Sequence, residues 1–243
     1  MSSRSSDTPF LGAPDTVETK RVEHPFSFAD SKDEKLNGLI VEAVNRMGGT
    51  GERAEDDYQV ALEQLRARAE EAADVVAAEY QALPEDSYLD RWSLVHLLVE
   101  LRSPTTVEAL NRIIASRIPA EKAKESHDIS TRTEEVMIRT TAVEGLVRLS
   151  AGGVEQARTA LLRHAGHREF SVRRACVQGL METGTDEDKK QLRGLLKERG
   201  EEGLLKIKRM DVREAPQAKG GRFVVHPDVK REPPPPELGG GQG

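Results

Sequence analysis

The sequence contains a single cysteine, Cys176, among its 243 residues. One thiol cannot form a disulfide within the chain or a cysteine-based zinc site, so nothing here requires an oxidising compartment. Because Cys176 lies in an apolar stripe, we expect it to be a small core residue rather than a nucleophile. The scarcity of cysteine favours a cytoplasmic location.

Long apolar runs and aromatic residues are also scarce. No run of about eighteen apolar residues appears, and residues 1–20 lack the apolar stretch of a secretory signal, so we expect no insertion into a membrane. Aromatic residues make up 4% of the chain, whereas charged residues make up 32%. Few rings, combined with many Ala, Leu, Glu and Arg residues, favour an all-α fold over a β-sandwich.

The sequence has no recognisable catalytic motif: no glycine-rich phosphate loop, nucleophile elbow or paired-carboxylate arrangement is present. Of the six histidines, only His164 and His167 lie close together in a helix-to-loop corner, and a metal site needs three or four converging ligands. The single tryptophan, Trp92, lies in an acidic stretch that would repel phosphate, so we interpret it as a core residue. We therefore expect no enzymatic activity, no cofactor and no metal.

Charge is distributed unevenly along the chain, whose net charge is −6. Residues 52–101 contain 13 acidic and 4 basic residues, whereas residues 156–210 contain 8 acidic and 13 basic residues. The overall charge argues against indiscriminate binding to nucleic acid, and aromatic stacking partners are absent from the basic clusters. We expect a protein partner, with nucleic acid bound through the basic half as an alternative.

Composition divides the chain into four parts. Residues 1–34 are polar and predicted to be a disordered N-terminal segment, and residues 206–243 are predicted to be a flexible Pro/Gly-rich C-terminal tail. Apolar islands at 9–11 and 25–28 either pack loosely on the helices or form a docking peptide. Residues 35–83 are predicted to be helices that cap a repeat domain spanning residues 84–205.

The N-terminal part contains two helical patterns. Residues 35–47 form a short amphipathic helix. Residues 52–82 show one narrow apolar seam and are predicted to form a single long helix, which Pro84 ends. The seam is short for a coiled-coil dimer, so we expect this helix to pack against its own neighbours.

Three helical hairpins are predicted after Pro84. The first begins with residues 89–101, which are apolar on most of their circumference and must be covered on more than one side, and it continues from Ser103-Pro104. The second begins at Thr131, whose spacing to Glu134 fits a capping box, and turns at residues 152–153. The third begins at Phe170 and turns at Gly184.

The hairpins repeat in sequence. Residues 138–146 match residues 172–180 at an offset of 34 residues, and residues 90–98 align with the former at an offset of 48. An offset of this length is typical of a helical solenoid. Gly145 and Gly179 each cost roughly 1 kcal/mol relative to alanine in a helix, so their recurrence predicts that neighbouring helices approach closely there.

The repeated pattern is a hydrophobic residue, Arg, small residues and Gly-Leu, followed by a turn and a second amphipathic helix. It resembles the HEAT repeat, particularly the bacterial type found in phycobilisome lyases, over about residues 84–199. Leu97-Leu98 stands in place of Gly-Leu in the first unit. The resemblance implies a short α-solenoid whose curved stack leaves a concave surface, lined by the second helices, for binding other molecules.

The resemblance and the absence of catalytic motifs together predict a non-catalytic scaffold or adaptor that binds a protein. The candidate partner-binding residues are basic side chains on the predicted second helices: Arg112, Arg158, Arg163, Lys189 and Arg193. For each of them the alternative is an ordinary solvated face. The alternative function is an accessory role in cofactor attachment, as in the phycobilisome-lyase proteins, or binding of nucleic acid.

Overall fold

The computed structural model describes residues 24–49, 52–125 and 129–206. These residues form nine α-helices, two short 3₁₀ helices and no strand, which confirms the predicted all-α class. The α-helices are α1 (Glu34–Arg46), α2 (Ala54–Arg66), α3 (Ala69–Ala82), α4 (Tyr88–Leu101), α5 (Val107–Ala115), α6 (Thr131–Ala151), α7 (Glu155–His164), α8 (Phe170–Thr183) and α9 (Asp186–Glu198). Residues 1–23 of the predicted N-terminal segment, and the predicted C-terminal tail beyond Lys206, lie outside the described residues.

Helices α4 to α9 form three successive hairpins: α4 with α5, α6 with α7, and α8 with α9. The first helices pack side by side, α4 on α6 and α6 on α8, while α7 packs between α5 and α9 in a second layer. Residues 138–146 lie in α6 and residues 172–180 lie in α8, at corresponding places in successive hairpins. The structure thereby confirms the repeat predicted from the sequence.

The core lies between the two layers of helices. Leu98 of α4, Leu146 of α6 and Leu180 of α8 are fully buried. One hairpin alone cannot cover such faces, so burial requires that the hairpins stack. Helix α3 packs on α4 and covers its other side. Within the described residues, no helix is both long enough and apolar enough to cross a bilayer.

Gly145 and Gly179 lie at close contacts between helices, as predicted. A Cβ atom on Gly145 would lie 2.8 Å from both Leu110 Cδ1 and Val99 Cγ2. A Cβ atom on Gly179 would overlap Cγ2 of Val147. Glycine at these two positions therefore lets α6 approach α4 and α5, and lets α8 approach α6.

An arginine recurs at the same repeat position in all three hairpins, as Arg91, Arg139 and Arg173. Each donates hydrogen bonds to backbone carbonyls in the connection that precedes its helix, namely those of Glu85, of Ser116 and Arg117, and of His167 and Arg168 respectively. The repeated arginine therefore fastens each connection to the helix that follows it.

Glu135 joins two of these arginines. Its carboxylate accepts hydrogen bonds from Arg91 Nη1 at 2.5 Å and from Arg139, and all three side chains are buried. Burial alone would raise the pKa of Glu135, but the hydrogen bonds from Arg91 and Arg139 outweigh it and lower the pKa below its usual value. The cluster is thus a buried ion triad linking the first two hairpins.

The predicted single helix over residues 52–82 is wrong, because the structure has two helices with a break at Ala67 and Arg68. Helix α2 packs mainly on α1, whereas α3 packs on α4. One straight helix could not pack against both of these neighbours. The break is fastened by Arg68, whose guanidinium lies 2.6 Å from Asp33 Oδ2 and also binds Glu71.

Residues 24–33 pack against the helices, which contradicts the predicted disorder of this segment but agrees with packing of the apolar island at 25–28 on the helices, one of the two alternatives for that island. The backbone N–H groups of Ser27 and Phe28 donate to the two carboxylate oxygens of Glu79 at 2.8 and 2.7 Å. His24 Nδ1 lies 2.7 Å from Asp90 Oδ1, and Phe28 rests on the core. The partners of His24, Ser27 and Phe28 lie more than fifty residues away in sequence, so local composition did not reveal these hydrogen bonds.

The start of α6 also differs from the prediction. Ser130, not Thr131, is the N-cap residue, and its Oγ accepts the N–H of Thr133 at 3.2 Å. The carboxylate of Glu121 accepts the N–H of Thr131 at 2.8 Å and the hydroxyl of Ser130 at 2.5 Å. The Ser130 hydroxyl and several backbone N–H groups lower the pKa of Glu121 to about 2. The cap thus comes from the connecting segment.

Candidate protein-interaction surface

The structure distributes the predicted partner-binding residues over three helices: Arg112 on α5, Arg158 and Arg163 on α7, and Lys189 and Arg193 on α9. Arg158 lies mostly out of solvent, where Nε is 3.3 Å from Asp188 Oδ2 and Nη1 donates to the Gly153 carbonyl. It therefore ties α7 to α9. Arg112 lies 3.6 Å from Glu108 on its own helix. Partner binding by these five residues stays a prediction.

Arg163 lines a groove between α5 and α7 with a volume of about 390 Å³. The other lining residues are Val107, Glu108, Asn111, Glu155, Gln156, Thr159 and Ala160. Both signs of charge and several neutral polar groups face this groove. Its lining resembles the solvated face that was the alternative for these helices.

The two neighbouring histidines have roles in the fold. His164 Nε2 lies 2.8 Å from Asn111 Oδ1, and His167 Nδ1 accepts the N–H of Glu169 at 3.0 Å. Burial, together with the positive charges of His167 and Arg163, lowers the pKa of His164 to about 4. His164 therefore joins α7 to α5, and His167 joins the following connection to the start of α8.

A more apolar surface lies on the first-helix layer, at the N-terminal ends of α4 and α6. This α4–α6 cleft has a volume of about 460 Å³ and is lined by Asp86, Tyr88, Leu89, Trp92, Ile129, Glu134 and Met137. Leu89, Ile129 and Met137 are 71%, 73% and 47% exposed. In the described part of the chain, these are three of the five exposed large apolar side chains, so the exposure is clustered rather than scattered.

The repeat explains part of this clustering. Leu89 and Met137 occupy equivalent positions, since residues 90–98 and 138–146 align. Both precede the repeated arginine by two residues, Leu89 on the first turn of α4 and Met137 on the second turn of α6. Phe170, at 49% exposure, holds the same repeat position as Tyr88. Apolar side chains facing solvent at the start of the first helices are thus a recurring feature.

Trp92 forms a half-buried wall of the cleft. Its indole Nε1 donates to Thr141 Oγ1 at 3.1 Å, and its ring stacks on His96 with centroids 5.4 Å apart. The hydrogen bond fixes α4 to α6. Trp92 packs against the core, in agreement with the sequence-based interpretation, but it also faces the cleft, which burial patterns alone did not indicate.

Part of the basic half of the chain is occupied by internal ion pairs. Arg173 Nη2 lies 3.0 Å from Glu201 Oε1, and Arg199 Nε lies 3.0 Å from Glu201 Oε2. The Arg173 side chain is also mostly buried. These arginines therefore hold the last 3₁₀ helix (Glu202–Lys206) region against α8 and α9 and contribute less positive charge to the surface than their number suggests.

No protein-family model matches the chain, and no curated protein matches it. Among solved structures, the chain is similar to one described as the complex of CpcE and CpcF of phycocyanin lyase from Nostoc sp. PCC7120. The sequences are 17% identical, the match covers 70% of this chain and 96% of that one, and the TM-score is 0.42. Nothing about the activity of this chain follows from a likeness of that extent.

Proposed function

We propose that this chain is a non-catalytic protein-binding module, built on a short α-solenoid, that docks its partner in the α4–α6 cleft. The observation that carries the proposal is the joint exposure of Leu89, Ile129 and Met137 in one cleft. Single exposed apolar side chains are common on soluble proteins, whereas a contiguous exposed group is typical of an interaction surface.

The size of the effect supports docking at this surface. Burying a Leu, Ile or Met side chain contributes roughly 1.5–3 kcal/mol. Because Leu89, Ile129 and Met137 are only 71%, 73% and 47% exposed, burying what remains of them contributes roughly 3–6 kcal/mol. That is a substantial part of the roughly 8 kcal/mol of a micromolar complex, before the lost freedom of the partners is subtracted. Contacts to Trp92 and Tyr88, which line the same cleft, would add further apolar area.

The roles of the perturbed titratable groups support the non-catalytic part of the proposal. Burial raises the pKa of Cys176 to about 12, which keeps the thiol protonated at neutral pH. Glu135 is held between two buried arginines, and Glu121 caps α6. Each of these groups stabilises the fold, and none of them lines the α4–α6 cleft.

The proposal is tested by isolating partners from native extract with the full-length protein. The cleft variant is Leu89→Glu/Met137→Glu, which places two charges in the cleft at positions already exposed. The matched control is Val60→Glu, because Val60 is an aliphatic side chain 55% exposed on α2, outside the cleft. Quantitative mass spectrometry of the bound proteins compares wild type with both variants.

We expect one or more proteins bound by wild type and by Val60→Glu to be lost from the cleft variant. Calorimetry with the purified partner should then give an affinity at least about tenfold weaker for the cleft variant. Circular dichroism of all three proteins checks that the variants are folded as well as wild type. A partner that binds the cleft variant as tightly as wild type would contradict the proposed surface.

The second candidate is the accessory role in cofactor attachment that the repeat motif implies by resemblance. It predicts that the purified protein, or a complex with an acceptor protein, carries a chromophore visible by absorbance. A colourless protein that still binds its partner through the cleft favours the first candidate. Binding to nucleic acid predicts retardation of labelled duplex at low salt that weakens steeply as salt increases.

A further inference from the structure

The rim of the α4–α6 cleft is negatively charged. Asp86 and Glu134 line the cleft together with its apolar side chains. Across residues 24–49, 52–125 and 129–206, neither carboxylate forms an ion pair or a side-chain hydrogen bond. Both charges are therefore available to a ligand in the cleft.

The basic residues close to this rim in sequence are already paired. Lys122 Nζ lies 3.6 Å from Glu85 Oε2, and Arg132 Nη2 lies 2.5 Å from Glu169 Oε2. Asp86 and Glu134 are thus not neutralised by these neighbours. The pairing leaves the rim with an uncompensated charge of about −2 at neutral pH.

The helices around the cleft are also rich in acidic residues. Residues 52–101, which include α2 to α4, contain 13 acidic and only 4 basic residues. All four basic residues are in ion pairs, namely Arg53 with Asp57, Arg66 with Glu100, Arg68 with Asp33, and Arg91 with Glu135. An approaching molecule therefore meets a negative potential around the apolar cleft.

This combination discriminates among occupants. A second copy seated through a two-fold axis would place Asp86 and Glu134 of both copies against one another, and like charges repel. An anionic lipid surface would be repelled for the same reason. A segment that inserts apolar side chains and carries cations beside them satisfies both the cleft and its rim.

We propose that the α4–α6 cleft binds a protein segment in which apolar side chains are flanked by lysine or arginine. This inference rests on the proposed function and specifies the chemistry of the partner. The apolar side chains contact Leu89, Ile129 and Met137, while the flanking cations pair with Asp86 and Glu134. The first contacts supply affinity, and the ion pairs select the partner and accelerate its association.

Trp92 provides a direct test, because it is the only tryptophan in the chain and lines the cleft. Quenching of its fluorescence by caesium and by iodide compares access of a cation and an anion to the cleft. The quenching by each ion is divided by its quenching of free tryptophan. In wild type we expect this ratio to be larger for caesium than for iodide. Equal ratios for the two ions would show that the cleft is not negatively charged and would overturn the proposal.

The variant for this test is Asp86→Lys/Glu134→Lys, for which we expect the preference to change to iodide. The matched control is Asp56→Lys/Glu70→Lys, which changes the net charge equally at exposed carboxylates in the first turns of α2 and α3, outside the cleft. The control should change the quenching preference much less than Asp86→Lys/Glu134→Lys does, because neither of its positions lines the cleft. If the control also changes the preference to iodide, the effect is not local and the proposal fails.

Partner chemistry is tested by selecting short random peptides, free of tryptophan, on immobilised full-length protein. Peptides that also bind Leu89→Glu/Met137→Glu are discarded. We expect the remaining peptides to contain apolar residues flanked by Lys or Arg, and to shift the Trp92 emission to the blue on binding. Their affinity should fall at least about tenfold in Asp86→Lys/Glu134→Lys, fall as salt increases, and be unchanged in Asp56→Lys/Glu70→Lys.

The outcomes separate this inference from the proposed function. Peptides that bind the cleft but are neutral or acidic, and insensitive to Asp86→Lys/Glu134→Lys, overturn the inference and leave the docking surface in place. Failure to recover any peptide that the cleft variant loses overturns both. Self-association of wild type that Leu89→Glu/Met137→Glu abolishes, measured by sedimentation, assigns the cleft to a second copy and also overturns the inference.

Discussion

Gly179 of α8 lies so close to Val147 of α6 that a Cβ atom on the glycine would overlap the valine Cγ2. We expect Gly179→Ala to force the two helices apart. Overpacking costs about 1–3 kcal/mol, and the better helix propensity of alanine returns up to about 1 kcal/mol. The free energy of unfolding in urea should therefore fall by roughly 1–2 kcal/mol.

The control for this prediction is Gly194→Ala. Gly194 lies inside α9, where a Cβ atom would meet nothing within 4 Å. The substitution should leave stability unchanged or raise it by up to about 1 kcal/mol. If both variants are stabilised equally, α6 and α8 are not in close contact at Gly179.

Replacing Glu135 by leucine should be far more damaging than replacing the whole triad. Glu135→Leu leaves Arg91 and Arg139 buried without their carboxylate, and breaking a buried ion pair in this way costs about 3–5 kcal/mol. The triple variant Arg91→Met/Glu135→Leu/Arg139→Met removes the charges together and should recover a large part of that loss.

Both variants are compared with wild type by urea denaturation monitored by circular dichroism. A Glu135→Leu protein within about 0.5 kcal/mol of wild type would show that the triad is not desolvated. A triple variant less stable than Glu135→Leu would contradict this prediction. It would show that the hydrogen bonds from Arg91 and Arg139 to backbone carbonyls stabilise the fold by more than the unpaired charges destabilise it.

His164 should make stability depend on pH between about 4 and 6.5. Its folded pKa is lowered to about 4 from a usual value of 6.5, so the unfolded chain takes up a proton first as pH falls. The contribution of His164 to the unfolding free energy is therefore complete above pH 6.5. It is lost as pH falls toward 4, which lowers the unfolding free energy by up to about 3 kcal/mol. Urea titrations of wild type and His164→Gln across this range should show a shallower dependence in the variant.

Burial also lowers the pKa of His167, so His164→Gln should retain a smaller dependence of the same sign. Adding His167→Gln should remove that remainder. If stability rises as pH falls from 6.5 to 4 in wild type but not in the double variant, the direction of the His164 shift is wrong.

Glu121 should act in a lower and separate range of pH. Its folded pKa of about 2 lies below the usual 4.5, so its contribution to stability is present above pH 4.5 and is lost as pH falls toward 2. The difference in melting temperature between wild type and Glu121→Gln should be largest above pH 4.5 and shrink below it. Glu63→Gln, at an exposed position on α2, is the control.

Local sequence patterns predicted the repeat because its physical causes are local. The match of residues 138–146 with 172–180 places the same apolar positions on successive helices, and the two glycines mark where those helices meet. The caps differ in this respect. Thr131 and Glu134 have the spacing of a capping box, but Glu121 and Ser130 cap α6 from the preceding connection.

The break at residues 67–68 and the candidate cleft could not be predicted for a related reason. No glycine or proline marks the break, which depends on what α2 and α3 each pack against. Leu89 follows the apolar pattern of α4, yet it is 71% exposed because nothing in the described residues covers its side of the helix. Exposure depends on tertiary neighbours, which the periodicity of one helix does not contain.

Glu135 bonds to arginines of two hairpins, so the first and second hairpins are coupled more strongly than the second and third. Separating the first two hairpins would leave a buried charge without its partner. The third hairpin is joined to the second by more accessible contacts: the hydroxyl pair Ser150 and Thr183, and the ion pairs Arg132–Glu169 and Arg158–Asp188. We therefore expect the native state to open first at the C-terminal hairpin, with amide exchange spreading from α9 toward α6. On this expectation the α4–α6 cleft lies in the part of the solenoid that opens last, so a partner docked there, as proposed, would stay bound while the C-terminal hairpin opens locally.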